Sequence, residues 1–129
     1  MVRAPGRRRV RRLLLEAAPR ERLTPADDER HERAERRLAE LDYNEVPIGV
    51  GDGHEGWPAH APYDKLYLTC AVRSVPDPLV EHCVDGGLLL VPIGVTNQRL
   101  ILHTTRDGQI VDSLDCGPVR FVPMQGPYA

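Results

Sequence analysis

The spacing of apolar positions changes along the chain, and the first clear spacing is helical. Ala34, Leu38 and Leu41 follow one another at i, i+4 and i+7, so they share one face of a helix. Charged residues fill most of the positions between them and leave the other face polar. Asp27 or Asp28 is placed to cap the first turn. The pattern therefore predicts an amphipathic helix that begins near residue 27.

After this helix, short apolar runs are separated by glycine, proline and aspartate, as expected of strands. The run Leu88–Val91 is continuously apolar, which is typical of a strand buried on both faces. Asp77 is placed to cap a short helix that ends at Asp85-Gly86, and Asp107-Gly108 predicts a hairpin turn. The predicted strands cover residues 46–50, 64–71, 88–91, 99–105, 109–114 and 119–122.

This order of elements predicts an α/β domain with a mostly parallel sheet and a β-rich antiparallel C-terminal end. The 129 residues, 41% of them hydrophobic, are enough for one such domain. The charges are unevenly distributed. Residues 1–22 are strongly basic, with eight arginines against Glu16 and Glu21, whereas the whole chain has a net charge of −2. No aromatic residues interleave these arginines, so we expect no nucleic-acid partner. We predict a poorly ordered arginine-rich extension over residues 1–26 and a folded domain over 27–129.

The cysteine and apolar patterns favour a cytoplasmic protein. The three cysteines are widely spaced and form no C-x-x-C pair, which suits buried thiols in a reducing compartment. No apolar run approaches the roughly 20 residues that cross a bilayer, so we expect no membrane partner. His54, Glu55 and His60 match no common metal-ligand spacing, and we expect no metal site.

The most informative stretch is Gly51-Asp52-Gly53-His54-Glu55-Gly56-Trp57, which predicts a glycine-hinged loop after a strand. Its glycines allow a flat ligand to approach the backbone, and Asp52 is placed to accept a hydrogen bond from it. This stretch resembles the corresponding loop of the protein-L-isoaspartate (D-aspartate) O-methyltransferase family. The resemblance covers about residues 27–129 and continues, in order, through Ala61-Pro62-Tyr63-Asp64, Val75-Pro76, Gly86-Gly87, Val91-Pro92-Ile93-Gly94, Gln98, Asp107-Gly108 and Val119-Arg120-Phe121-Val122-Pro123.

The resemblance implies a Rossmann-like methyltransferase fold that binds S-adenosylmethionine at the carboxyl ends of its strands. It implies that Asp52 and Gly53 contact the adenine, with Asp52 accepting from the adenine amino group. Val122 and Pro123 would lie near the substrate, which is a protein or peptide containing isoaspartate. The implied reaction is methyl transfer to the isoaspartyl carboxylate, which serves protein repair. Trp57 matches an aromatic position in the family loop, where packing is the favoured role.

Three upstream elements of the resembled family have no clear counterpart here. A glycine-rich loop is missing, because Gly6 is the sole glycine before Gly49. Alignment of the predicted helix puts Pro25 where the family has an acid that binds the ribose, and Asp27 or Asp28 is the nearest substitute. The serine-containing segment at the active site has no counterpart, so no catalytic residue is assigned.

Two other hypotheses therefore stay open. The chain is either a non-catalytic remnant or partner-binding half, truncated on its N-terminal side, or a methyltransferase for a biosynthetic peptide. The missing first strand would also leave one edge of the predicted strand 64–71 unpaired. Such an edge is a template for pairing with another chain, so we expect self-association through it.

Overall fold

A computed structural model describes residues 14–17, 25–43 and 48–129 of the chain. Predictions that fall on residues 1–13, 18–24 and 44–47 lie outside the described residues, as does most of the proposed extension. The division of the chain at residue 26 stays a prediction. Within residues 1–26, Leu14–Ala17 forms a strand that pairs with a strand further along the chain.

The described elements alternate between helix and strand before the chain becomes β-rich. In chain order they are β1 (Leu14–Ala17), α1 (Pro25–Glu40), β2 (Ile48–Gly51), β3 (Tyr63–Tyr67), α2 (Asp77–Glu81), β4 (Cys83–Ile93), β5 (Gln98–Arg106) and β6 (Gln109–Val119). Two short 3-10 turns, Gly53–Glu55 and Pro58–His60, lie between β2 and β3. The order confirms the α/β class that the apolar spacing predicts.

The strands form two separate sheets in the described part of the chain. β1 pairs with β2 in parallel, and the four remaining strands follow the order β3-β4-β5-β6. β3 is parallel to β4, whereas β4, β5 and β6 are antiparallel neighbours. The four-stranded sheet is therefore less parallel than the sequence predicts. β3 lies at one edge of this sheet and has β4 as its single strand partner there.

The core lies on one face of the four-stranded sheet. Leu89 and Val91 of β4 are completely buried, and Val72, Val80 and Met124 pack with them. Leu88 and Leu90 point to the opposite face and are only half-buried. The prediction that this run is buried on both faces is therefore wrong, because no described layer seals the second face as it seals the first.

Both helices differ from their predictions in detail. α1 begins at Pro25 instead of a cap at Asp27 or Asp28, since proline at the start of a helix gives up no hydrogen bond. Its half-buried positions include Ala34 and Leu38, but Leu41 lies beyond the helix and is 66% exposed. α2 is capped by Pro76 instead of Asp77 and ends before the predicted Asp85-Gly86 stop, which lies inside β4.

The strand boundaries also move. β6 runs through Gly117 and Pro118 to Val119, so the predicted separate strand over 119–122 is wrong. A register shift between β5 and β6 at this place absorbs the glycine and proline without ending the pairing. The hairpin turn is confirmed, because Asp107 and Gly108 both adopt positive φ angles, 51° and 69°, as a tight two-residue hairpin requires.

Candidate functional site

The candidate site begins where two parallel strands end side by side. Ala17 at the end of β1 is in register with Gly51 at the end of β2. Asp52 and Gly53 follow directly, so they lie at the carboxyl edge of this strand pair. Ligands in open α/β sheets bind outside the carboxyl ends of the strands. The fold therefore puts the sequence-predicted loop at the edge where a ligand site is expected.

The loop has a defined local structure. The backbone N–H of Glu55 donates to the carbonyl oxygen of Asp52 at 3.1 Å, which closes the first 3-10 turn. Gly56 ends that turn with a φ angle of 68°, a conformation that favours glycine. The Tyr63 hydroxyl donates to the carbonyl oxygen of Trp57 at 2.5 Å, and burial raises the pKa of this phenol. These bonds connect the loop to the start of β3.

Trp57 packs against the backbone of β2. A Cβ atom added at Gly49 would lie 3.1 Å from the Trp57 ring, so the ring rests on the face of this glycine. The ring of His60 meets it on the loop side, with centroids 4.4 Å apart in an edge-to-face arrangement. The packing role predicted for Trp57 fits this geometry, which also accounts for a glycine inside a four-residue strand.

Asp52 is engaged within the loop itself. Its Oδ1 atom lies 2.5 Å from Nδ1 of His54, and the two side chains are only 10% and 18% exposed. The ring of His54 also lies against the ring of Tyr128, with centroids 5.5 Å apart. The backbone carbonyl of Tyr128 accepts from the N–H of Arg73 at 2.9 Å. Asp52, His54 and Tyr128 thus connect the loop to the C-terminal end of the chain.

The second predicted site segment, Val122-Pro123, is anchored on both sides. The N–H of Ala71 donates to the carbonyl of Val122 at 2.7 Å, and the N–H of Met124 donates back to the carbonyl of Ala71 at 2.8 Å. The Val122 side chain is 71% exposed, so the segment presents an apolar residue to solvent on a fixed backbone.

A residue that the sequence did not assign to any role holds the same segment. The buried Gln98 side chain donates from Nε2 to the Phe121 carbonyl at 2.9 Å and accepts from the Phe121 N–H at 2.6 Å. This pair of bonds replaces a strand pairing just before Val122. A glutamine at the start of an apolar strand is the sequence signal, although its backbone partner lies 23 residues away.

The positions that the alignment offers for the ribose-binding acid lie on a helix. Pro25, Asp27 and Asp28 lie in the first turns of α1, not at a strand end. The strand that precedes α1 is β1, and Glu16 lies in β1 in register with Val50.

The other candidate groups lie away from this loop. Cys83 is buried, Cys70 is half-buried and Cys116 is exposed, so the expectation of three buried thiols is wrong for Cys116. Burial raises the pKa of the Cys70 and Cys83 thiols, which keeps them protonated and unreactive. His103 is buried in the sheet, where its Nδ1 lies 2.8 Å from the Ser113 hydroxyl.

Two absences hold for the described residues. Within them, no group of three or more histidine, cysteine or acidic side chains is arranged to hold a metal ion. No helix in this part of the chain is long and apolar enough to cross a membrane.

Sequence comparison connects these features to known proteins. A family model described as protein-L-isoaspartate(D-aspartate) O-methyltransferase matches residues 27–128. A protein-L-isoaspartate O-methyltransferase of Dictyoglomus thermophilum is 40% identical over 97 residues, which cover 75% of this chain and 44% of the relative. One of Gloeobacter violaceus is 44% identical over 94 residues, which cover 71% of this chain and 45% of the relative. The chain thus spans less than half the length of these relatives.

Structural comparison agrees. A solved protein-L-isoaspartate O-methyltransferase superposes with a TM-score of 0.73 at 26% identity, covering 88% of this chain and 34% of that one. A Plasmodium falciparum structure, described as a β-aspartate methyltransferase in complex with S-adenosyl-L-homocysteine, superposes with a TM-score of 0.58 at 19% identity. The second similarity supports the fold alone. Both superpositions cover 88% of this chain, more than the 27–128 range of the family match.

Proposed function

Because the chain belongs to the protein-L-isoaspartate(D-aspartate) O-methyltransferase family, we propose that it carries the adenine-binding part of an S-adenosylmethionine-dependent methyltransferase site. The observation that supports this most directly is the Asp52-Gly53 loop at the shared carboxyl edge of β1 and β2. We propose that the complete site methylates the carboxylate of isoaspartyl residues in proteins or peptides, as a step in protein repair.

The residues at this edge fit an adenine ring. The Asp52 carboxylate is an acceptor for the exocyclic amino group, and Gly53 has no side chain to block the approach of the ring. When bound, S-adenosylmethionine supplies the methyl group that passes to a substrate carboxylate oxygen.

The chain's contribution to catalysis is positioning. Gln98 and Ala71 hold the backbone around Val122-Pro123, where we propose that the isoaspartyl substrate lies. A displacement of about 1 Å in such a segment can lower a rate on the order of 100-fold, because the reacting atoms must be aligned. No acid–base residue is required of these elements, since a carboxylate is already a nucleophile.

Binding of S-adenosylhomocysteine tests the adenine site. We expect weak binding by the chain alone, because a single hydrogen bond to a charged acceptor contributes about 1.5–3 kcal/mol, against about 8 kcal/mol for micromolar affinity. The measurement is the shift of backbone amide NMR signals on titration, which detects millimolar affinity. Signals of Gly53 and its neighbours are expected to move, and Asp52→Asn is expected to reduce the affinity about tenfold. The control Asp64→Asn, an exposed acid of β3, is expected to bind like the parent chain.

A methylation assay tests the reaction. With a radiolabelled methyl donor and an isoaspartyl peptide, we expect no transfer by the chain alone above a heat-treated control. Addition of the part of the Dictyoglomus thermophilum relative that precedes the matched region is expected to produce methylation, with the aspartyl form of the peptide as a negative control. Transfer by the chain alone would contradict the assignment of only part of a site to it. Binding that is unaffected by Asp52→Asn would contradict the adenine site.

Two other hypotheses have their own outcomes. A non-catalytic, partner-binding role is favoured if the mixture binds S-adenosylhomocysteine tightly but transfers no methyl group. A biosynthetic peptide substrate is favoured if the mixture methylates a peptide carboxylate that is not isoaspartyl. We place the proposed activity in the cytoplasm, because three unpaired cysteines suit a reducing compartment.

We also propose that the free edge of β3 pairs with another chain. β3 has one strand neighbour, β4, among the described strands, so its second row of backbone groups is available. Tyr67→Pro removes a donor from β3 and is expected to reduce association by this route. Sedimentation velocity measures the loss. An unchanged distribution of species would contradict edge pairing.

A further inference from the structure

One row of apolar side chains crosses all four strands of the larger sheet. Tyr67 of β3 is in register with Leu90 of β4, Leu90 with Leu102 of β5, and Leu102 with Leu114 of β6. Paired residues of neighbouring strands project to the same face of a sheet, so the four side chains form a continuous line. Tyr67 is 61% exposed and Leu114 is 60% exposed, so both ends of the line are open to solvent.

The adjacent row carries opposite charges at its two ends. Lys65 of β3, Leu88 of β4, Thr104 of β5 and Asp112 of β6 follow one another in register, two residues from the apolar row. Lys65 and Asp112 are exposed. The positive charge therefore lies at the β3 end of this face and the negative charge at the β6 end. We call the five apolar residues of the two rows, Tyr67, Leu88, Leu90, Leu102 and Leu114, the leucine face.

The leucine face contrasts with the other side of the same strands. There Leu89, Val91 and Thr105 are exposed by 0%, 0% and 1%, because α2 and the C-terminal segment pack over them. When one face of an antiparallel sheet is in solvent, the residues that point to that face are normally polar. Here leucines occupy this face on three strands. Leu114 is exposed, and Leu88, Leu90 and Leu102 are half-buried, so the face offers a partner an apolar surface that still has area to bury.

We propose that a second copy of this chain covers the leucine face, sheet against sheet, about a two-fold axis parallel to the strands and midway between β4 and β5. This axis exchanges the two ends of each row. Tyr67 then packs against Leu114 of the second copy, and Leu90 packs against Leu102 of the second copy. Lys65 lies opposite Asp112 of the second copy, and the same pair repeats at the other end.

Charge complementarity is what favours a second copy. A two-fold axis makes the same surface serve both chains, so the surface must complement itself. With Lys65 at one end and Asp112 at the other, the exchange turns two isolated charges into two ion pairs at the rim. Aligned sheets pack about 10 Å apart, a spacing that leucine and tyrosine side chains fill. This interface is independent of the adenine loop and of the proposed reaction.

The experiment measures the dissociation constant of the dimer by sedimentation equilibrium on the full chain. Leu114→Asp introduces a charge at an exposed position of the leucine face and is expected to raise that constant at least tenfold. Val95→Asp is the matched control, because Val95 is 62% exposed and lies outside the leucine face, in the connection between β4 and β5. Circular dichroism of each variant establishes that the fold is retained.

Charge exchange supplies a test with its own rescue. Lys65→Asp and Asp112→Lys are each expected to weaken the dimer severalfold, because each replaces two attractions by two repulsions. The double variant restores opposite charges in the two-fold arrangement and is expected to associate like the parent chain. The effect is expected to shrink at high salt, since rim ion pairs are screened.

Two results would overturn the proposal. One is a parent chain that is a monomer at the highest measurable concentration, which would leave the face to another protein or to a segment outside the described residues. The other is a dimer that survives Leu114→Asp and both charge exchanges, which would assign association to a different surface such as the β3 edge. Neither result bears on the binding of S-adenosylhomocysteine, so the proposed function is tested separately.

Discussion

The carboxylate of Asp52 and the imidazole of His54 lie 2.5 Å apart, Oδ1 to Nδ1, two residues from each other in the loop that follows β2. Both side chains are largely shielded from solvent, with exposed fractions of 10% and 18%. An adenine amino group that binds Asp52 must therefore use the second carboxylate oxygen or displace His54. The loop contains the intended acceptor together with an internal competitor for it.

This competition predicts the effect of His54 on ligand binding. His54→Ala removes the competitor, so we expect adenosine to bind at least as tightly as it binds the parent chain. Asp52→Asn replaces the charged acceptor and is expected to weaken binding about tenfold, in line with about 1.5 kcal/mol for a hydrogen bond to a charged group. NMR titration with adenosine measures both. Weaker binding in His54→Ala would mean that His54 orients Asp52 instead of competing for it.

Replacing Gln98 is expected to lower the stability of the fold without changing the Asp52-Gly53 loop. Gln98→Ala leaves the N–H and carbonyl of Phe121 without their partner, and each unsatisfied group costs about 1–3 kcal/mol if it stays buried. We expect the free energy of unfolding in urea to fall by about 2 kcal/mol and the Phe121 amide to exchange faster with solvent. The neighbour Asn97→Ala, at an exposed position, is the control and is expected to change little. Equal losses in the two variants would contradict the role of Gln98.

The lowered pKa of His103 makes the stability of the fold depend on pH. Burial lowers the pKa of this imidazole below its ordinary value of 6.5, so the folded state binds its proton less readily than the unfolded state does. Above pH 6.5 the imidazole is neutral in both the folded and the unfolded state, and its contribution to stability is complete. As the pH falls below 6.5 toward the lowered pKa, the unfolded state takes up the proton first, and the stability contribution is lost.

Thermal melts between pH 7.5 and pH 5 test this. The parent chain is expected to lose stability below pH 6.5, and His103→Asn is expected to lose less over the same interval. Asn97→Ala changes an exposed residue and leaves the His103 imidazole in place, so it should retain the parent slope. The hypothesis fails if the two variants have the same pH dependence.

The backbone conformation just after β4 requires a glycine at position 94. Its φ angle is 124°, and an added Cβ would lie 2.5 Å from the carbonyl oxygen of Asn97. Alanine would have to adopt a conformation that L-residues rarely reach while also displacing backbone atoms. We expect Gly94→Ala to lower the free energy of unfolding by at least about 2–3 kcal/mol. Gly108→Ala is the comparison, because its added Cβ has one neighbour, at 3.9 Å, and only the positive φ angle opposes it. Similar losses in both variants would show that the contact with Asn97 has no effect.

Local chemistry made several elements predictable. Asp107-Gly108 forms its hairpin turn because both residues tolerate the positive φ angles that a tight turn needs. The helix around Ala34 and Leu38 follows from residues that are close in sequence. The Asp52-Gly53 loop is recognisable for the same reason, since all the residues that define its family motif are contiguous. These features depend on neighbours within a few positions of each other.

The remaining features depend on partners that are distant in the sequence. Gln98 acts through Phe121, 23 residues away, and Ala71 binds the backbone of Val122 across half of the domain. Periodicity assigned the run Leu88–Val91 to a strand, but it could not say that only one of its faces would be covered. The sequence by itself determined the family, the turns and the identity of the loop. Tertiary structure decided which strands became neighbours, where the chain needed a glutamine and which apolar face stayed open, because those outcomes are set by packing between segments whose separation no local pattern encodes.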